Sequence, residues 1–210
     1  MRLRIIIAED HTIVLEGLRA LLEKEGFEVV GQAEDGRTAV ELARRFTPDI
    51  AVLDIKMPVL NGIDAAREIV RASPDTRTIL LTVHKENPYV VEALRAGVSG
   101  YLLKTRATSD LVQAIKEVSR GALYISPGLD RDVVKAFLEN KDVKSSPLSP
   151  REREVLQLIA EGKSTKEVGV ILGISVKTAE SHRTRIMEKL DIHETATLVR
   201  YAIRQGMIDP

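Results

Sequence analysis

Short apolar runs alternate with segments of helical periodicity over the first 120 residues of this sequence. The apolar runs predict strands at 3–8, 27–33, 50–53, 78–81 and 100–103. A predicted helix follows each run; we expect Thr12 to cap the first helix, and Asn61 with Gly62 to open the third. Strands and helices that alternate in this way form a parallel sheet with right-handed crossovers and helices on both faces. We therefore expect an α/β domain with a doubly wound, five-stranded parallel sheet.

The predicted strands end in polar or charged residues. Glu9 and Asp10 follow the first strand, Asp54 ends the third, and Thr82 and Lys104 follow the fourth and fifth. In a parallel sheet the carboxyl ends of all strands lie on one edge, where open α/β folds bind their ligands. Any one of these residues alone has a structural explanation, such as a helix cap, a turn or a solvated surface side chain. Their joint placement on one edge favours a functional site.

Three carboxylates on one edge repel one another and raise their own pKa values unless a cation lies among them. Oxygen ligands of this kind suit a hard divalent ion, above all Mg²⁺. A metal ion at Asp54 would neutralise the charge of a phosphoryl group and leave the carboxylate free to attack phosphorus. Lys104 and the Thr82 hydroxyl would hold the remaining phosphoryl oxygens. The edge therefore predicts a phosphoacceptor aspartate with a magnesium site.

The same residues, in this order and spacing, resemble the receiver domain of two-component response regulators. The resemblance implies a flavodoxin-like fold, in which the five strands of the sheet have the order 2-1-3-4-5. The resemblance covers about residues 3–120 and rests on Glu9-Asp10, Leu53-Asp54, Met57-Pro58, Asn61-Gly62, Leu81-Thr82 and Gly100-Tyr101-Leu102-Leu103-Lys104. It implies that Asp54 is the phosphoacceptor and that Mg²⁺ is held by Glu9, Asp10, Asp54 and the backbone carbonyl of Lys56. It also implies a switch in which Thr82 turns toward the phosphoryl group and Tyr101 rotates into the space that Thr82 leaves.

Two positions depart from the pattern of the receiver family. Thr105 follows Lys104 where proline is common, and Val83 follows Thr82 where many members have alanine or glycine. Neither departure removes a reacting group, and both bear on the reaction rate.

The composition changes between the α/β region and the C-terminal part of the chain. Glycine, proline and serine punctuate residues 121–147, and residues 129–138 have the apolar spacing of a short helix. A short polar stretch at 141–146 is typical of a flexible tether and predicts the domain boundary. We expect a first domain at 1–121, a linker with a short helix at 122–146, and a second domain at 147–210.

Four helices are predicted in residues 148–210, which therefore form an all-α domain. Ser149 and Pro150 begin the first helix, and Ser164 with Glu167 forms a capping box for the second. The third and fourth helices are predicted at 176–190 and at about 194–205. A turn that contains Gly173 joins the second helix to the third, which is the pattern of a helix-turn-helix (HTH).

The third predicted helix carries a polar stripe opposite an apolar side. The apolar side contains Val176, Ala179, Ile186 and Leu190. Lysine and arginine outnumber aspartate and glutamate by four to two on this helix, against only ten to nine over residues 148–210. Such a stripe suits base edges in a major groove and the flanking phosphates. An amphipathic helix whose polar side faces water has the same composition, so the residues alone leave both interpretations open.

Residues 148–206 resemble the DNA-binding domain shared by the NarL/FixJ and LuxR-type regulators. The matching residues are 148–156, 162–164, 166–167, 172–179, His182 and 187–190. The resemblance implies dimerisation through the fourth helix, phosphate contacts from Lys166, Lys177, Thr178 and Arg185, and base contacts from Glu180, Ser181 and Thr184. Thr165 and Gly169 stand where the family usually has asparagine and alanine.

Together the two resemblances imply a transcription factor that is switched by phosphorylation. A sensor histidine kinase would donate a phosphoryl group to Asp54, and the C-terminal domain would bind promoter DNA as a homodimer, with RNA polymerase as a further partner. One alternative is a DNA-binding regulator with a degenerate receiver that works without phosphorylation. The other is a metal-dependent phosphohydrolase, but haloacid-dehalogenase-type enzymes carry a second aspartate where this sequence has Lys56. We therefore expect no enzyme, beyond slow hydrolysis of its own aspartyl phosphate.

The composition excludes several other classes of protein. The absence of cysteine excludes disulfides, thiolate zinc sites and cysteine nucleophiles. No apolar run has the length of a membrane span and the N-terminus lacks the pattern of a signal peptide, so we expect a cytoplasmic protein. The net charge of zero argues neither for nor against nucleic acid as a partner.

Overall fold

The computed structural model describes residues 2–83, 87–129, 134 and 147–208, and the chain divides into two compact units at 1–143 and 144–210. Each unit has hydrophobic core clusters of its own. The helix predicted at 129–138 lies outside the described residues except for Leu129 and Val134, both of which are buried in the first unit. The tether and boundary predicted at 141–146 also lie outside them, so the domain limits stay predictions.

The described part of the first unit contains a parallel sheet with helices on both faces. The strands are β1 (Arg4–Ala8), β2 (Glu28–Ala33), β3 (Ile50–Asp54), β4 (Arg77–Thr82), β5 (Gly100–Leu103) and β6 (Tyr124–Ile125). The helices are α1 (Thr12–Lys24), α2 (Gly36–Phe46), α3 (Gly62–Ala72), α4 (Asn87–Arg95) and α5 (Ala107–Ser119), with a short 3₁₀ helix at Lys104–Arg106. The strand order is β2-β1-β3-β4-β5-β6, which confirms the predicted order of the first five strands.

Alternate residues of the central strands enter the two core layers. Ile5 and Ile7 belong to the layer that also contains leucines of α1 and apolar residues of α5, whereas Ile6 and Ala8 belong to the layer on the other face, which contains residues of α2, α3 and α4. This is the period of two that side chains have on a strand. The residues of β3 are all buried, as expected for a central strand covered on both faces.

The sheet has one strand more than the sequence predicted. Tyr124 and Ile125, which lie in the segment assigned to the linker, pair in parallel with β5. The Tyr124 amide donates to the Ser99 carbonyl at 3.0 Å and the Ser126 amide donates to the Tyr101 carbonyl at 2.9 Å. The sequence did not predict this strand because its hydrogen bonds are made to β5, which is distant in the sequence. Two residues are also too few to show the alternation by which a strand is recognised.

The helix caps of the first unit confirm one prediction and correct another. Asn61 caps α3, since its side chain accepts a hydrogen bond from the Asp64 amide at 3.0 Å. At α1 the N-cap is His11 rather than the predicted Thr12, and it makes no side-chain capping bond. The His11 ring instead contacts the carboxylates of Glu9 and Asp10, so the start of α1 is tied to the end of β1.

The described part of the second unit is helical and matches the predicted caps. Its helices are α6 (Pro150–Ala160), α7 (Thr165–Leu172), α8 (Val176–Leu190) and α9 (Thr195–Arg204). Capping boxes join Ser149 to Glu152 and Ser164 to Glu167. Gly173 ends α7 with a φ of 63°, a left-handed conformation that glycine adopts without steric cost, and Ser175 caps α8. The helix-turn-helix predicted around Gly173 is thus present.

The apolar side predicted for α8 is only partly buried. Ala179 and Ile186 are fully buried, and Leu190 packs half-buried against the same core. Val176 is 42% exposed, which corrects its assignment to the packed side. Val176 is the first residue of the helix, one turn before Glu180, and it precedes the part of α8 in which Ala179 is buried in the core.

Among the described helices of both units, none is both long and apolar enough to span a membrane.

Candidate functional site

The carboxyl edge of the sheet brings three of the predicted site residues into contact. Asp54 ends β3 with its side chain buried, and Glu9 follows β1 and is completely buried. The Lys104 ammonium lies 2.9 Å from Asp54 Oδ1 and 2.8 Å from Glu9 Oε2. One cation therefore bridges two buried carboxylates that come from different strands.

The register of the sheet produces this meeting. Ala8 pairs with Leu53, Asp54 with Leu81, and Thr82 with Leu103, so the strands end side by side. Lys104 is the first residue after β5, and Thr82 is the buried last residue of β4. The sequence prediction of one shared edge therefore corresponds to a real juxtaposition of side chains.

Close backbone contact explains why glycine follows Asn61. A Cβ atom at Gly62 would lie 1.9 Å from the Asp54 carbonyl oxygen, a distance no side chain can accept. The Gly62 amide donates to the Ile55 carbonyl at 2.8 Å. The start of α3 thus rests directly on the backbone at Asp54, and only glycine permits that approach.

Burial changes the electrostatics of Asp54. Removal from water raises the pKa of Asp54 from its ordinary 3.8 to about 6; Lys104 opposes this rise and the charge of Glu9 adds to it. Burial lowers the pKa of Lys104, but Asp54 and Glu9 outweigh that effect and the net pKa is raised. Lys104 therefore stays charged, while Asp54 is a carboxylate with an unusually high affinity for a proton.

The carboxylates at the end of β1 suit a hard metal ion. Glu9, Asp10 and His11 each offer a ligand atom, and these atoms lie within 4.8 Å of one another. With Asp54 on the same edge, the buried Glu9 and the exposed Asp10 make three carboxylates whose oxygens are the donors that Mg²⁺ accepts, so the residues present fit the predicted ion. Lys56, predicted to contribute its carbonyl, lies two residues beyond β3 and is half-buried.

His11 is a member of this edge that the sequence interpretation missed. Its Nδ1 lies 2.8 Å from Asp10 Oδ1 and 3.1 Å from Glu9 Oε1. Asp10 first, and then Glu9, raise the pKa of His11. The position of His11 directly after Glu9-Asp10 was the only sequence signal for this contact. The direction in which the ring points depends on the loop between β1 and α1, which the sequence does not specify.

Replacing Asp54 by asparagine should stabilise the metal-free first unit at neutral pH. Asp54 binds a proton more tightly when folded than when unfolded, so ionising the buried carboxylate costs stability as the pH rises from about 4 to 6. Asparagine has no such charge, so we expect Asp54→Asn to exceed the wild type by about 2–3 kcal/mol at pH 7.5 and by about zero near pH 4. Urea unfolding in a chelator, followed by tyrosine fluorescence, measures the difference.

The matched control for this measurement is Asp75→Asn. Asp75 is exposed on the same unit, so its replacement should leave the free energy of unfolding within about 0.5 kcal/mol of the wild type at each pH. A stability difference for Asp54→Asn that stays constant between pH 4 and 7.5 would contradict a raised pKa of Asp54 in the folded chain.

The predicted switch residues are both buried. Thr82 and Tyr101 are each 1% exposed, and Tyr101 packs in the core layer that contains Leu80, Leu103 and residues of α4. The aromatic ring therefore lies inward in this structure. The switch that the resemblance implies, in which Thr82 turns toward a phosphoryl group and Tyr101 rotates into the space it leaves, stays a prediction.

The residues predicted to contact DNA share one property: their side chains are exposed on the helix-turn-helix. They are Lys166 on α7 and, on α8, Lys177, Thr178, Glu180, Ser181, Thr184 and Arg185. The Thr178 hydroxyl also contacts Ser175 Oγ at 2.8 Å, so it takes part in the cap of α8. The polar stripe is therefore a continuous accessible surface, as a groove-reading helix requires.

Contacts within the second unit divide the four basic residues of α8 into two pairs. Lys189 donates to Glu152 Oε2 at 2.7 Å, and Arg183 donates to the Thr195 hydroxyl at 2.8 Å. Lys177 and Arg185 make no ion pair or side-chain hydrogen bond with the described residues. On α8, the two cations predicted to bind phosphate are thus those that make no ion pair or side-chain hydrogen bond within the described part of the unit.

Glu152 fixes the far end of α8. Its carboxylate accepts a bond from the Ser149 amide at 2.7 Å as part of the capping box of α6, and the same Oε2 atom accepts the Lys189 ammonium. The bond from Lys189 and the bonds from Ser149 overcome the effect of burial and lower the pKa of Glu152. The buried carboxylate is therefore ionised and holds α8 against the N-terminus of α6.

Comparison with known proteins agrees with both halves of the chain. Residues 5–116 match the family model of the response regulator receiver domain, and residues 146–202 match that of the bacterial regulatory proteins of the luxR family. The transcriptional regulatory protein DegU of Brevibacillus brevis is 35% identical over 225 residues, covering 99% of this chain and 95% of DegU.

Solved structures of RcsB are similar to this chain over nearly its whole length. RcsB of Salmonella enterica serovar Typhimurium, bound to promoter P1flhDC in the presence of phosphomimetic BeF3-, is 29% identical with a TM-score of 0.61, covering 96% of this chain and 98% of RcsB. A structure of two RcsB dimers bound to two parallel DNAs is 31% identical with a TM-score of 0.56, again covering 96% and 98%.

Proposed function

The chain belongs to the NarL/FixJ family of two-component response regulators, with a receiver domain and a LuxR-type DNA-binding domain, and we propose that phosphorylation of Asp54 controls its dimerisation and DNA binding. The proposed donor is a sensor histidine kinase and the proposed target is promoter DNA, with RNA polymerase as a further partner. Because the proposed partner is DNA and the C-terminal domain matches a family of bacterial regulatory proteins, we propose that the protein is cytoplasmic.

The bridge from Lys104 to Asp54 and Glu9 is the observation that carries this proposal. A degenerate receiver would have no need for a buried aspartate whose ionisation is opposed by burial and maintained by one lysine. A phosphohydrolase of the haloacid-dehalogenase type would carry a second aspartate at the position of Lys56. The arrangement therefore supports a phosphoacceptor, with no turnover of substrate beyond slow self-hydrolysis.

In the proposed reaction, an ionised Asp54 oxygen attacks the phosphorus of the donor. The new bond joins that oxygen to phosphorus as the bond from phosphorus to the donor's nitrogen or oxygen breaks, and the donor leaves with the electron pair. Lys104 then exchanges its contact with Asp54 for the phosphoryl oxygens, and Thr82 donates its hydroxyl to another of them. Glu9, Asp10, Asp54 and the Lys56 carbonyl would hold Mg²⁺, which when bound neutralises phosphoryl charge.

The output side of the proposal rests on the exposed stripe of α8 and on what the RcsB structures contain. RcsB is bound to promoter DNA in the presence of phosphomimetic BeF3-, and another RcsB structure has dimers on DNA. By analogy, two copies of this chain would place two α8 helices in successive turns of a major groove. The dimer contact would involve α9, whose face around Arg200, Ile203 and Arg204 forms an open groove.

Phosphorylation should therefore increase the mass of the particle in solution and strengthen its binding to DNA. We expect light scattering of the full chain with Mg²⁺ and a small phosphodonor to move from monomer toward dimer, and the affinity for a selected duplex to rise at least tenfold. The same chain without phosphodonor is the control. One unchanged mass and one unchanged affinity in both states would refute phosphorylation control and favour the degenerate receiver.

A further inference from the structure

Large apolar side chains that are exposed in the described second unit lie within one short segment. Val170 and Ile171 are in the last turn of α7 and Val176 begins α8, with exposed fractions of 78%, 39% and 42%. The other large apolar side chains described in this unit are buried or half-buried. A single exposed valine is common on protein surfaces, so exposure alone does not indicate a binding role. The position of each residue relative to the predicted DNA-binding surface is the further evidence that is needed.

Val176 lies at the end of α8 that enters a groove first. It directly follows the cap residue Ser175, whose side chain accepts the Thr178 amide at 3.1 Å. Recognition helices of the helix-turn-helix class contact base edges with their N-terminal residues. Val176 precedes Glu180 by one helical turn, so the two side chains are neighbours on the helix surface. An exposed apolar group therefore adjoins the predicted base-reading stripe.

We propose that Val176 contacts the C5-methyl group of a thymine in the major groove. That methyl group is the apolar feature of the base edges in this groove, and it distinguishes thymine from the other bases. The inference rests on the proposed DNA-binding function and adds to it a residue that selects sequence. Because one helical turn rises about 5.4 Å and base pairs are spaced about 3.4 Å apart, the thymine lies within about two base pairs of the base that Glu180 contacts.

Val170 is more exposed than Val176 but has a different position. It lies on α7, one turn after Lys166, the predicted phosphate contact. The first helix of a helix-turn-helix crosses the DNA backbone and does not enter the groove. Val170 therefore has no base edge within reach, which makes Val170→Ala the matched control for Val176→Ala.

Replacement of thymine by uracil isolates the proposed contact, because uracil lacks only the methyl group. The full chain, with Mg²⁺ and a small phosphodonor, first selects a duplex from a randomised pool. Each thymine of that duplex is then replaced singly, and the dissociation constant is measured by fluorescence anisotropy. We expect one replacement per half-site to weaken wild-type binding about fourfold, the value of one buried methyl group.

Two variants test whether Val176 causes the loss of affinity that follows the replacement of thymine by uracil. Val176→Ala should bind the thymine and uracil duplexes equally at that position, whereas Val170→Ala should keep the wild-type difference. Circular dichroism equal to that of the wild type verifies that both variants are folded, and Val176→Ser provides a second substitution at the same position.

Two results would overturn the inference. One is a wild-type chain that is insensitive to every uracil replacement; the other is a Val176→Ala chain that keeps the wild-type sensitivity at each position. Failure to enrich any sequence is a different outcome, because it contradicts the proposed DNA-binding function itself. An enriched sequence with an unchanged uracil profile contradicts only the role of Val176.

Discussion

Asp54→Asn is expected to abolish the phosphoryl adduct that the wild-type chain forms with Mg²⁺ and a small phosphodonor. Asparagine preserves the size of the side chain at the end of β3, but its amide oxygen cannot serve as the attacking carboxylate. We expect the loss to be complete, because the substitution removes the nucleophile and not a residue that assists it. Intact-mass spectrometry of both chains, incubated side by side, should find one adduct on the wild type and none on the variant.

Asp49→Asn is the matched control, since Asp49 immediately precedes the other end of the same strand and is exposed. It should form the adduct to the same extent as the wild type. An adduct of wild-type amount on Asp54→Asn would show that another residue is the acceptor. An adduct on none of the three chains would favour a degenerate receiver, and the buried pair of Thr82 and Tyr101 would then need another trigger.

Local signals in the sequence were sufficient where both partners of an interaction lie within one turn. Ser164 and Glu167 are three residues apart and form the predicted capping box, with the Ser164 amide donating to Glu167 Oε2 at 2.8 Å. The apolar run at 50–53 predicted β3 to within one residue, because a strand buried on both faces excludes polar side chains along its whole length. The parallel direction of the strands followed from the alternation of strands and helices, whereas their order was implied by the resemblance to the receiver family.

Interactions between distant residues could be anticipated only in outline. The sequence placed Glu9, Asp54 and Lys104 on one edge, but the bridge through a single ammonium depends on the register of four neighbouring strands, β1, β3, β4 and β5. The contact from His11 depends on the loop after β1, and β6 depends on two hydrogen bonds to residues of the β4–β5 region. None of these leaves a periodic or spaced pattern in the chain.

The predicted apolar side of α8 was wrong at one residue, Val176, because its burial also depends on the tertiary structure. A helical wheel assigns Val176 to the side of Ala179 and Ile186, but a wheel contains no information about where the helix leaves the core. Because Val176 is the first residue of α8, its side chain extends beyond the packed segment and stays 42% exposed. Similarly, charge counting credited α8 with four cations, whereas Glu152 and Thr195 engage two of them.

Lys177→Ala should weaken DNA binding to the same extent on every sequence. Each neutralised phosphate releases condensed counterions, so losing one contact should cost about fivefold per protomer at 0.15 M salt and reduce the slope of log affinity against log salt by about one. Glu180→Ala should instead leave the salt slope unchanged and shift the preferred base at one position, by about 1–3 kcal/mol of discrimination. Anisotropy titrations at several salt concentrations, with matched and mismatched duplexes, separate these two effects.

Lys189→Ala distinguishes a phosphate contact from loss of positive charge on α8. Lys189 is on the same helix and carries the same charge as Lys177, but its ammonium is bound to Glu152. Once circular dichroism has shown that the variant is folded, we expect its salt slope to equal that of the wild type. If Lys189→Ala lowers the slope of log affinity against log salt as much as Lys177→Ala does, then Lys189 contributes to phosphate binding as much as Lys177, although its ammonium is bound to Glu152. The proposed orientation of α8 in the groove would then be wrong, because it directs the N-terminal end of the helix, and not Lys189 at its far end, toward the DNA.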